Sequence, residues 1–172
     1  MNFLSGNLTS VEFLGTLNKS VSTLAAFAFI GCLLATSFLL PEREGAFEKS
    51  SLALRKKLRI FGFIWLATSA FQLILTLANI LGTSVLGAFD LTSLNSFVTQ
   101  IDLGKYLAYQ LALIAVVVVG ANFVNKVLAS TIFLGLSLIA LVIPVFQSHS
   151  AASGSHSLAI GALVIHVAGL SL

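Results

Sequence analysis

Residues 58–81 read LRIFGFIWLATSAFQLILTLANIL. Past Arg59 the stretch carries no charge, and Thr68, Ser69, Gln72, Thr76 and Asn79 are scattered among Leu, Ile, Phe and Ala. As a helix it rises about 36 Å, enough to cross a hydrocarbon core of about 30 Å. Its apolar residues run continuously and do not alternate, which argues against a barrel strand. The stretch therefore predicts a membrane-spanning helix, with Trp65 near its start.

Composition extends that reading to the whole chain. Hydrophobic residues make up 58% of the 172 and charged residues 9%, against roughly 25% charged in a soluble domain. The expected fold is all-α: a polytopic membrane helix bundle with four full spans, at about 21–40, 58–81, 106–123 and 127–146, and a fifth, truncated one at 158–172. That last run would rise only about 22 Å, so the sequence reads as the front part of a longer protein. The single cysteine, Cys32, cannot form an internal disulfide and reads as a small buried hydrophobe.

Outside these runs the chain divides simply. Residues 1–18 carry Leu4, Leu8, Val11 and Leu14 at helical spacing with Asn7, Ser10 and Glu12 between them, which predicts an interfacial segment before a transmembrane domain over 19–172. Pro41 ends the first run and opens a basic loop. A nearly uncharged loop, with Asp90 and Asp102 its acids, separates the second span from the third. A tight Asn125-Lys126 turn joins the third to the fourth. Gln72, Asn79 and Gln110 read first as polar staples between helices.

Charge sets the expected orientation. Arg43, Lys49, Arg55, Lys56, Lys57, Arg59 and Lys126 fall on one side, Lys19 and Lys105 on the other, so seven of the nine basic residues share a face. The positive-inside rule puts that face in the cytoplasm and the N-terminus outside. The net charge of +3 thus reports orientation and contact with anionic lipid; a nucleic-acid partner is not expected.

All three histidines, His149, His156 and His166, fall between Gln147 and Leu172. With this topology His149 and His156 lie in an extracytoplasmic loop and His166 about 12 Å down the fifth helix. Two imidazoles at a mouth and one within the membrane are what an ion inlet requires. Imidazole binds copper, zinc, nickel and iron, and also carries protons near neutral pH. The plain alternative keeps His149 and His156 as solvated loop residues and His166 as a hydrogen-bonded structural histidine.

Three stretches resemble the copper resistance protein D family, in particular its actinobacterial type, often fused to a cytochrome c oxidase assembly domain. They are WLATSAFQLILTLANILG (65–82), LTSLNSFVTQIDLGKYLAYQLAL (91–113) and SHSAASGSHSLAIGALVIHVAGLSL (148–172). The last matches the family's arrangement of a histidine in a small-residue loop, another starting the next helix and a third within it. The resemblance implies copper handling at the cytoplasmic membrane: capture from the outer side, and uptake or delivery to cuproproteins. It implies His149, His156 and His166 as copper ligands, and a copper chaperone or the cytochrome oxidase assembly machinery as partners besides the bilayer.

Two other classes compete. A b-type cytochrome-like electron-transfer subunit would use the histidines for haem, although paired axial ligands come from facing helices and spans one to four contain no histidine. A structural subunit of a larger membrane complex would need no metal. An enzyme is not expected, because no acid–base pair or nucleophile constellation is present. Imidazole suits Cu(II), whereas Cu(I) sites lean on Met and Cys; Met1 is the only methionine, so a full site would draw on water, backbone or Cys32.

Overall fold

The computed structural model describes residues 2–39, 51–123 and 127–143, with side-chain environments for 10–37, 54–123 and 128–143. Every regular element among them is helical. α1 (Asn2–Leu34) runs without a break into a π-helical turn, Ala35–Leu39. α2 (Ser51–Leu81), α3 (Leu91–Gln100), α4 (Asp102–Ala121) and α5 (Val127–Val142) follow, with a 3-10 turn at Leu86–Phe89 before α3.

Three of these helices are long and apolar enough to span a membrane, over Ser10–Ser37, Leu54–Leu81 and Asp102–Ala121; α5 is a shorter apolar helix. The long helices form an antiparallel ring, with α1 packed on α2, α2 on α4, α4 on α5, and α5 back on α1. Asn18 meets Thr68 and Gln72 while Phe29 meets Trp65, so α1 and α2 run in opposite directions. Antiparallel neighbours around the ring make this an up-and-down four-helix arrangement.

Lipid tails are as apolar as leucine, so burial alone does not hold such helices together; close packing and interhelical hydrogen bonds do. Alanines make the close contacts here: Ala26, Ala78 and Ala140 are wholly buried. Trp65, 2% exposed, sits with Phe29, their ring centroids 5.7 Å apart and tilted by 50°. Ile114, Val117 and Leu134 complete that cluster. A second cluster, around Val11, Leu75, Ala88 and Phe97, binds α2 to the segment before α4.

α1 runs unbroken through residue 18, with Val11, Asn18, Ala25 and Ala26 on one buried face. The expected loop between spans two and three is largely structured. Gly82, at φ 62°, closes α2, with Thr83 N–H donating to the Ala78 carbonyl and Gly82 N–H to that of Asn79; glycine adopts that left-handed conformation at no steric cost. Asp90 caps α3, its carboxylate accepting from Ser93 N–H at 2.8 Å and Ser93 Oγ at 2.7 Å. α3 turns directly into α4, and at Gly104 a Cβ would collide with the Phe97 carbonyl, so only glycine lets the two helices meet there.

Candidate functional site

The three predicted ligands, His149, His156 and His166, lie outside the described residues, as does the fifth apolar run. Arg59 Nε donates to Asn122 Oδ1 at 3.0 Å, and Thr36, Ser37 and Ser130 meet nearby, so α1 ends, α2 begins, α4 ends and α5 begins at one basic end. Gln110 Nε2 donates to the Ala140 carbonyl at 3.2 Å. α5 therefore runs antiparallel to α4, away from the Arg59 end, with Ala140 level with Gln110.

Two polar clusters tie the ring together. At the basic end Thr36 Oγ1 spends its proton on the Leu33 carbonyl at 2.8 Å, so Ser130 is the donor in the 2.8 Å contact with Thr36. Ser37 donates to Ser130 at 3.0 Å, giving a directed relay Ser37–Ser130–Thr36–Leu33. The wider π-helical turn presents Thr36 and Ser37 to the same hydroxyl. In the other half, Asn18 Nδ2 donates to the Thr68 carbonyl at 2.9 Å and to Gln72 Oε1 at 3.0 Å. Gln72 and Gln110 are thus the staples the sequence predicts, and Asn18 is the partner it did not reveal.

Above the Asn18–Gln72 bridge, α1 and α2 part into a polar cleft of about 410 Å³ lined by Glu12, Thr16, Lys19, Gln72, Thr76 and Asn79. Lys19, expected outside the first span, stands within it. No local signal marks this cleft, since its walls lie far apart in sequence. On the other flank of α2 lies an apolar groove of about 820 Å³ between α2, α3 and α4, floored by Ala108, Ala112 and Ala115.

Charged chemistry away from the cleft is modest among the described residues. The Ser93 hydroxyl and N–H hold the Asp90 carboxyl below its usual range, with a smaller contribution from Thr92 N–H opposing slight desolvation. Lys105 and Asp102 form an exposed pair at 2.9 Å, of small energetic worth. Cys32 is buried in α1. Among the described residues no three His, Cys, Asp or Glu side chains converge as a metal site.

A ring of apolar helices with polar staples defines a helical membrane protein. Residues 12–158 match the copper resistance protein D-like, N-terminal domain family. The chain belongs to that family, and is a membrane protein related to copper resistance. No curated protein and no solved structure matches it.

Proposed function

We propose that the protein captures copper on the extracytoplasmic side of the cytoplasmic membrane and passes it inward or to membrane cuproproteins, without acting as an enzyme. The family match carries this reading, and its range, 12–158, takes in His149 and His156. The helix directions support it, because α5 runs away from the basic end toward the histidine segment of the sequence. The Lys/Arg asymmetry makes the end opposite the basic residues extracytoplasmic. His149 and His156 are the capture ligands and His166 the inner relay point.

Copper is the cargo, and neutral imidazole is the form that binds it. Occupancy then falls as pH drops through about 6–6.5. Metal analysis with a visible absorption spectrum of the purified protein tests the proposal. Bound copper without a Soret band is the expected result. A Soret band would move the histidines to haem, and neither copper nor haem would leave a structural subunit.

A further inference from the structure

The α1–α2 cleft holds a charge at a depth where a membrane helix rarely carries one. Arg59 marks the basic end. From Ala121 back to Asp102 α4 has 20 residues, a rise of about 30 Å and one hydrocarbon thickness. On α2 the same rise from Arg59 ends at Asn79. Asn18 meets α2 at Thr68 and Gln72, so Lys19 leaves the helix about 10–16 Å below Asn79, in the half of the candidate span Ser10–Ser37 away from the basic end.

The neighbours of Lys19 do not neutralise it. Side chains lean toward a helix N-terminus, so its ammonium rises along the cleft toward Thr16. There Thr16 Oγ1 donates to the Glu12 carbonyl and Thr76 Oγ1 to the Gln72 carbonyl. Glu12 stands two turns nearer the mouth and leans the same way, and no ion pair joins it to Lys19 among the described residues. Facing a lipid tail, an ammonium at this depth is expensive. Water can reach it: the cleft opens beside the exposed Glu12 and Asn79, and 410 Å³ holds on the order of ten waters at about 30 Å³ each.

We propose that this cleft is a water-filled inlet from the end opposite the basic residues, closed below by the Asn18–Gln72–Thr68 bonds, with Lys19 at its floor binding a small anion. Glu12 sits at the mouth, where solvent and salt screen it. Lys19 acts in a lower dielectric, so the floor is positive. A free copper cation is repelled there, which separates this inlet from the histidine route. The inference rests on the membrane placement of the helices and not on copper.

Single cysteines in the full chain, on a Cys32→Ala background, test it with two methanethiosulfonates, one carrying a sulfonate and one a quaternary ammonium. Thr16→Cys reports the floor, Asn79→Cys the mouth, and Ala112→Cys the apolar groove at similar depth. Thr16→Cys should react with both reagents from the end opposite the basic residues, while Ala112→Cys stays silent. Its anionic-to-cationic rate ratio should exceed that at Asn79→Cys by about tenfold, the low end of electrostatic steering. Lys19→Gln should remove the excess. If Thr16→Cys fails to accumulate, Thr76→Cys on the facing wall replaces it. Reaction at Thr16→Cys no faster than at Ala112→Cys would overturn the inlet, and reaction confined to the basic side would overturn its direction. A rate ratio unchanged by Lys19→Gln would overturn the anion site.

Discussion

The two flanks of α2 make opposite demands on their surroundings. On one side the groove against α3 and α4 presents Phe71, Leu91, Leu94 and the alanines of α4; acyl chains satisfy such a surface completely. On the other, the cleft against α1 presents Glu12, Thr16, Lys19 and Asn79, which acyl chains cannot satisfy. Both depressions belong to one helix within one hydrocarbon thickness. Apolar composition therefore places α2 in the membrane, and the polar residues decide which of its faces meets lipid.

The sharpest way to break the contrast is to put a charge on the apolar flank. Ala112 stands at the centre of α4, so Ala112→Arg should destabilise the folded protein in bilayers by about 2.5–3.5 kcal/mol, the cost of a central charge facing lipid. Lys19→Leu, which removes a charge from the polar flank, should cost far less. Unfolding measured by denaturant titration in bicelles compares the two, and equal losses would erase the distinction between the flanks.

Gly104→Ala attacks the wall of the groove. The added methyl meets the Phe97 backbone carbonyl, which cannot rotate aside, so α3 must lift from α4 at about 1–3 kcal/mol, the range for overpacking. Faster hydrogen exchange over 91–101 than over 111–121 would locate the damage. A smaller loss is expected for Asn18→Ala, which removes both bonds to α2. Interhelical hydrogen bonds in membranes average about 0.6 kcal/mol and reach about 1.7, so a loss near 1 kcal/mol in the same titration is expected. A loss above 3 kcal/mol would make Asn18 more than a staple.

The smallest effect belongs to Asp90. Its carboxyl is lowered in the folded protein by Ser93, so its cap is fully present above the ordinary carboxylate range and is lost as pH falls through the lowered value. Amide exchange at the start of α3 should rise with acid in the wild type more than in Asp90→Asn. Parallel pH profiles would remove the carboxylate from the cap.

Much of this bundle is legible from residues taken one helix at a time. The run 58–81 lies within α2, and 106–123 overlaps α4, because long uninterrupted apolar stretches admit one solution in a bilayer. The first helix is less plainly legible: the polar residues among Leu4, Leu8, Val11 and Leu14 read as an interfacial segment, and one helix with a buried face from Val11 through Asn18 to Phe29 runs through them. The capped helix 91–100 was readable in Asp90, Ser93 and the spacing of Leu91, Leu94 and Val98, yet its polarity matched a loop. The cleft was not readable at all, since Lys19 and Gln72 become neighbours only when α1 and α2 pair. The histidine segment shows the reverse: its residues are plain in the sequence and lie outside the described residues.

Copper capture by those histidines is tested most directly by copper binding and copper accumulation measured side by side in His149→Ala, His156→Ala and His166→Ala. His156→Ala should lose the most binding, because in the sequence it falls between the other two histidines, where the expected loop gives way to the fifth apolar run. His149→Ala should lose less, a ligand at the loop mouth being partly replaceable by water. His166→Ala should keep capture and lose accumulation. Wild-type binding and accumulation in all three variants would contradict the account.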